Sequence, residues 1–217
     1  LPAPHTPIVP VPPFRDASGI NPYADFVMQV DYLMGELLDC VQKQGLEKNT
    51  LVIFTSDNGC SPQANFDLLR EHGHNPSGIY RGHKADIFEG GHRVPLIVKW
   101  PGHIVPGEKT QAMACHTDIF TSFAEIVNQA DQASGGEDGY SLLPVFHGNK
   151  TSDRTAIVSH SIDGSFAIRE GNWKLCLCYG SGGWSVPKEK VAKAEKLPPL
   201  QLYDLSKDVA ETTNTAE

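Results

Sequence analysis

The sequence has no long apolar run. No window in it approaches the roughly 18 apolar residues that a membrane-spanning helix needs, so a membrane is not an expected partner. It has no basic excess either: Lys plus Arg number 18 against 26 Asp plus Glu, a formal net charge of −8. That balance argues against nucleic acid or an anionic membrane surface as the main partner. None of the five cysteines forms a Cys-x-x-Cys pair, which argues against a structural zinc site. The odd count leaves at least one thiol unpaired. The start, LPAPHTPIVPVPPF, lacks an initiator Met, a basic region and an apolar stretch, so it does not read as a signal peptide. The chain is expected to be a piece of a longer one. No internal repeat is visible.

What is present is an ordinary globular composition, 40% apolar and 20% charged over 217 residues. That length can bury a core as one large domain or one and a half. Sixteen prolines and 20 glycines imply many loops.

Asn21-Pro22 reads as a helix start, with Asn as N-cap and Pro in the first turn. Phe26, Val30, Leu33, Leu37 and Val41, with Met34 and Leu38 alongside, recur at helical spacing. Gly45 is the natural cap at the far end. One helix over about 22–44 is expected, with Cys40 on its apolar side.

Thr50 to Thr55 (TLVIFT) is a short β-branched run of the kind that forms a strand buried on both faces. Val94 to Trp100 is a second strand candidate, and residues 117–129 repeat apolar positions as a helix would. Helix followed by buried strand indicates an α/β layered domain. Residues 60–93 show little periodicity and read as a long loop. Residues 130–139 read as a turn-rich linker. After about 150 come short strand-like runs, TAIVSH, SFAIRE, WKLCLCY and QLYDL, with Gly171-Asn172 as a hairpin turn. Cys176 and Cys178, two apart, point the same way and read as small core residues.

Asp57 and Asn58 follow TLVIFT at a strand's carboxyl end, where α/β sheets carry ligands. Carboxylate and amide oxygens suit Ca2+ or Mg2+, but Asp-Asn-Gly is also a common turn sequence. Two ligands would not fill a shell of roughly six to eight oxygens. His5 lies in Pro-His-Thr-Pro, where proline limits the backbone. Lys84 and Arg93 bracket an acidic, glycine-bearing turn, and a buried Lys there would offer a point charge to sulfate or phosphate. His72, His74, His83 and His92 match no zinc-binding helix pair. Asn149-Lys150-Thr151 fits an N-glycosylation acceptor.

Five blocks in order resemble the sulfatase family: PAPHTP at 2–7, YADFVMQVDYLMGELLD at 23–39, TLVIFTSDNG at 50–59, RGHKADIFEGGHRVPLIVKWPG at 81–102, and HTDIFTSFAEIV at 116–127. GNWKLCL and QLYDLSKDVAETTN resemble the family's C-terminal subdomain. The resemblance implies an α/β fold, an alkaline-phosphatase-like mixed sheet flanked by helices, of which this chain is the C-terminal part. Residues 1–150 would belong to the catalytic α/β domain, and 151–217 would form a small antiparallel-sheet C-terminal subdomain.

The resemblance also implies roles. The family's nucleophile is a hydrated formylglycine made in a Cys/Ser-x-Pro/Ala-x-Arg motif. Asp57 and Asn58 match two Ca2+ ligands. His5 matches a histidine near the ester oxygen, and Lys84 a lysine that holds the sulfate. His116 and Asp118 match a His-x-Asp pair read as structural, and His160 is a substrate-binding candidate at the pocket mouth. The modification motif and a first pair of metal ligands lie N-terminal of the His5 block in the family and do not occur here. Cys60-Ser61-Pro62-Gln63-Ala64 has Ala64 where Arg is required, so it is not taken as the modification site.

The implied partners are a sulfated small molecule or sulfated glycan, and the remaining N-terminal part of the same domain. The implied location is extracytoplasmic. The expected activity is sulfate-ester hydrolysis, the isolated chain being inactive. A phosphatase or phosphodiesterase on the same scaffold, and a non-catalytic binding piece, are the alternatives.

Overall fold

The computed structural model describes residues 2–129 and 135–216. Helix α1 (Pro22–Lys43) opens as the sequence predicts: the Asn21 side chain accepts from the Ala24 amide at 2.9 Å. It closes in a Schellman motif. Gly45 takes φ +68°, and the Leu46 amide reaches back to the Val41 carbonyl at 3.1 Å. Buried Asp25 accepts the amides of Asp16 and Ser18 at 2.8 Å each, so the proline-rich N-terminal stretch is tied to this helix. Of the apolar stripe, Phe26, Val30, Met34, Leu38 and Val41 are half-buried, while Leu33, Leu37 and Cys40 are exposed.

Strand β1 (Val52–Thr55) pairs antiparallel with β2 (Leu96–Lys99), in register Val52 to Lys99 and Thr55 to Leu96. The expected doubly buried strand is therefore only half-buried. Described residues supply one neighbour, β2, whose Leu96 and Ile97 are exposed. The β-branched run reports a strand that a larger sheet would cover, not one that these residues cover.

Between β1 and β2, where a long loop is expected, the chain forms short helices α2 (Phe66–Glu71) and α3 (Glu89–His92). It also forms the most buried run of the protein: residues 86–91 are all buried. Aperiodic polar sequence hid this, because the burial comes from ion pairs and from glycines packed backbone to backbone. The predicted second helix is α4 (Thr117–Ile126). It stops short of 129 because Asn128 turns left-handed at φ +55° and the Gln129 amide returns to the Ala124 carbonyl. Helix α5 (Leu143–Phe146) follows. Of the linker predicted over 130–139, residues 130–134 lie outside the described residues.

The C-terminal sheet is a four-stranded antiparallel meander in sequence order: β3 (Ala156–His160), β4 (Phe166–Glu170), β5 (Trp173–Cys176) and β6 (Gln201–Asp204). Gly171 and Asn172 make the β4–β5 turn, with Gly171 at φ +55°. Helix α6 (Glu189–Ala194) precedes β6.

The main apolar cluster joins Ile87 and Phe88 to Ala167, Cys176, Cys178, Tyr203 and Leu205 of this sheet and its flanks. Each large apolar side chain so buried contributes roughly 1.5–3 kcal/mol. Burial pushes both cysteine thiols up to about 12, so they are inert core residues. Beside the cluster, Lys174 bridges Glu89 at 3.1 Å and Glu211 at 2.9 Å, and Arg169 caps Glu89 at 2.9 Å. Burial opposes ionisation of Glu89, but these cations outweigh it and hold its carboxyl below the usual range. The segment 86–91 is thus pinned to the C-terminal sheet by both apolar and ionic contacts.

Candidate active site

Four of the five residues expected in the site lie on loops that the elements above hold in place; His160 ends a strand. Lys84 sits on a turn between Gly82 at φ +78° and Ala85 at φ +82°. Its amide donates to the Cys60 carbonyl at 3.0 Å, and the Gly59 amide donates to the Gly91 carbonyl at 2.9 Å. These two bonds join the loop after β1, which carries Asp57 and Asn58, to the loop that carries Lys84. The approach is so close that a Cβ on Gly59 would collide with the Gly90 carbonyl, and one on Gly90 with the Gly82 carbonyl.

A cavity of about 240 Å3 opens at this junction. His5 and Lys84 both line it, with Tyr23, Ser61, Gln63 and Trp184 among its other walls. The sequence analysis therefore named two residues that the fold brings to one cavity from positions 79 apart in the chain. Lys84 is half-buried, and among the described residues it forms no ion pair and its ammonium donates no hydrogen bond. A lysine in a cavity wall with no protein partner is free to meet an anion that enters the cavity. His5 is exposed, and its Nδ1 lies 2.8 Å from the Thr6 carbonyl oxygen. That contact makes Nδ1 the protonated nitrogen and leaves Nε2 to act.

Asp57 is exposed and Asn58 half-buried, directly beyond the end of β1. Neither is among the residues that line the cavity. Among described residues the Asp57 carboxylate accepts no hydrogen bond. Asn58 turns its Nδ2 to the Gly59 carbonyl at 3.2 Å, which leaves its Oδ1 unengaged. Two adjacent hard oxygens with no protein donor have the chemistry of part of a Ca2+ shell, but among the described residues no group of three or more His, Cys, Asp or Glu side chains is placed to hold a metal ion.

His116 and Asp118 take distinct places. His116 Nε2 meets the Thr55 hydroxyl at 3.1 Å, at the end of β1. Asp118 is fully buried and saturated: it accepts the Cys115 amide at 2.7 Å, the Tyr140 amide at 2.9 Å, and Arg154 Nε at 3.0–3.1 Å. With no lone pair facing a cavity, Asp118 is a packing residue.

His160 ends β3 with an exposed ring, tilted against Phe166 at 6.1 Å. It is not among the cavity-lining residues. Two residues on, the Ile162 amide donates to the Ala85 carbonyl at 3.0 Å, so His160 is joined to the Lys84 turn through the backbone. Cys60 is half-buried, donates to the Tyr23 hydroxyl at 3.1 Å, and burial raises its pKa, which is the opposite of an activated thiol.

Three wall residues, Ile8, Tyr23 and Trp184, were given no role in the sequence reading. Tyr23 begins the block at 23–39, and nothing local sets it apart from the helix. Trp184 lies in a glycine- and serine-rich stretch with no pattern, and only the fold brings it beside Lys84.

A sequence model of the family described as Sulfatase matches residues 3–129. An N-acetylgalactosamine-6-O-sulfatase of Bacteroides thetaiotaomicron is 34% identical over 98% of this chain and 42% of its own length. Human arylsulfatase A is 33% identical over 93% of this chain and 40% of its own. The chain thus spans about two fifths of the length of these relatives. Among solved structures, one from work on glycosaminoglycan metabolism by Bacteroides thetaiotaomicron superposes with a TM-score of 0.84 at 34% identity, over the whole chain and 45% of that protein. A Pseudoalteromonas sulfatase superposes with a TM-score of 0.78 at 27% identity, over 98% of this chain and 42% of that one. Their fold is the alkaline-phosphatase-like α/β fold. The matched span and the agreement of fold make this chain a member of the sulfatase family.

Proposed function

We propose that the protein to which this chain belongs hydrolyses a sulfate ester on a sulfated sugar, and that Lys84 holds the sulfate. The observation that carries this is the half-buried, unpaired Lys84 ammonium in a cavity that His5 shares. A sulfate monoester carries a full negative charge that such a lysine neutralises. As the S–O bond breaks, charge builds on the bridging oxygen, and a fixed cation there stabilises it. His5 would act as the imidazolium, with Nδ1–H held by the Thr6 carbonyl while the Nε2 proton passes to the departing alcohol and leaves a neutral imidazole. His160 is proposed as a substrate contact at the cavity mouth.

Asp57 and Asn58 would supply two oxygens to a Ca2+ ion, the rest coming from outside this chain. When bound, the cation supplies positive charge that favours an oxygen nucleophile over its protonated form. That nucleophile, a hydrated formylglycine, is proposed to reside in a part of the protein N-terminal to this chain. The same part is proposed to cover the exposed apolar residues of α1 and β2, including Leu37 and Ile97. We divide the chain at residue 150, with 151–217 as a small C-terminal unit, and place the protein outside the cytoplasm. Within the described residues no helix is long and apolar enough to cross a membrane. Support for a sugar substrate comes from the hexosamine sulfatase among the relatives.

The test is steady-state kinetics of the full-length protein on a hexosamine 6-sulfate. Turnover that Lys84→Ala lowers on the order of 10²-fold is the expected result. Unchanged turnover in that variant overturns the assignment.

A further inference from the structure

Among the described residues, Trp184 is the one cavity-lining residue C-terminal to position 150. Its loop is tied to the segment that follows Lys84 by several hydrogen bonds. Asp86, fully buried, accepts the His83 amide on one oxygen at 2.9 Å. On the other it accepts the Trp184 amide at 2.8 Å and the Ser185 amide at 3.0 Å. The Ile87 amide donates to the Ser181 carbonyl at 2.8 Å. Gly183 lies so close that a Cβ would meet both the Ala85 carbonyl and the Asp86 carboxylate. Backbone movement of Trp184 relative to Lys84 is therefore closely restricted.

The indole itself is left without occupation. It is 38% exposed, and among the described residues it stacks on no aromatic ring and its N–H donates no hydrogen bond. Trp100 is stacked on His103 at 3.8 Å; Trp173, like Trp184, has no ring partner, but it lies half exposed on the C-terminal sheet and lines no cavity among the described residues. An indole whose backbone is held beside a lone cation, and whose ring has no aromatic or hydrogen-bond partner among the described residues, is suited to a ligand with an anionic group and an adjoining C–H surface. A pyranose bearing a sulfate has both. Its axial C–H face packs on the ring while its hydroxyls meet the indole N–H.

We propose that Trp184 is a substrate-binding residue that takes the apolar face of the sugar ring whose sulfate Lys84 holds. This rests on the reading of Lys84 as the sulfate-binding residue, and it makes the C-terminal unit part of the recognition of the sugar. Binding energy from the ring is then uniform between ground and transition states, so it should register in KM and not in kcat.

The experiment uses the full-length protein with Trp184→Ala and Trp184→Phe. Kinetics are run on a hexosamine 6-sulfate and on a short alkyl sulfate that has no ring. Calorimetric titration with the unsulfated hexosamine is run in parallel. Trp184→Ala should raise KM for the sugar sulfate on the order of tenfold and weaken sugar binding equally, with kcat held within about twofold. Trp184→Phe should recover most of the loss, and the alkyl sulfate should be unaffected. Unchanged KM and unchanged sugar binding in Trp184→Ala overturn the proposal while leaving the sulfatase reading intact. If the wild type turns over no sulfate ester, that reading fails, and the titration still decides: sugar binding lost in Trp184→Ala supports the role of Trp184. Sugar binding that is equal in both, or absent from the wild type, refutes it.

Discussion

The amide of Lys84 donates to the carbonyl of Cys60 at 3.0 Å, and this single bond carries much of the site's geometry. It ties the candidate sulfate-binding lysine to the loop that presents Asp57 and Asn58. The loops of Lys84 and of Asp57 and Asn58 are thereby joined by a backbone contact, reinforced where Gly59 lies against Gly90.

Among the described residues the exposed Asp57 side chain forms no hydrogen bond or ion pair, so Asp57→Ala should leave folding unchanged. In the full-length protein, its thermal midpoint without Ca2+ should match the wild type within the scatter of surface substitutions, about 0.5 kcal/mol. Added Ca2+ should stabilise the wild type and not the variant, by the linkage of ligand to folding. Equal stabilisation of both removes Asp57 from the metal site.

Asp118 makes the opposite prediction. It is buried, charged and bidentate to Arg154, so Asp118→Ala leaves an uncompensated guanidinium in the interior. The cost should be about 3–5 kcal/mol, read as a large fall in thermal midpoint or loss of soluble protein. A variant that folds normally but does not turn over would make Asp118 catalytic instead.

His92 has a buried Nε2 with no hydrogen-bond partner among the described residues. Burial, and next the nearby Lys174 charge, hold its pKa below the ordinary 6.5. As pH falls, the unfolded chain therefore takes up this proton first, and stability drops from about pH 6.5 downward. His92→Gln, which cannot titrate, should lose less stability than the wild type between pH 7.5 and 5.5. Denaturation midpoints at the two values check this, and equal losses would refute it.

The 217-residue polypeptide alone should turn over no aryl sulfate, with or without Ca2+. Cys60 should keep the mass of an unmodified cysteine, since Ala64 breaks the motif and Tyr23 holds the thiol. Mass spectrometry of the Cys60 peptide is the direct check. A converted Cys60 would place the nucleophile in this chain.

Much was legible in the sequence. Helix α1 and both its caps followed from Asn21, Pro22 and Gly45, because capping depends on a few neighbouring residues. The β4–β5 hairpin followed from Gly171-Asn172 for the same reason. His5 and Lys84 could be singled out from their local sequence, but their pairing in one site came only through the resemblance, since a lone histidine or lysine has no pattern that names its partner. Three things required the tertiary structure. The burial of residues 86–91 arises from long-range pairing with Lys174 and Glu211, on the far side of the sequence. The half-covered state of TLVIFT depends on how many strands lie beside it, which no local run encodes. The arrival of Trp184 next to Lys84 depends on Asp86 holding amides about a hundred residues away. Local sequence chemistry determined the elements and their ends. Contacts between distant residues decided which side chains share a cavity, because they hold the loops between those elements in place.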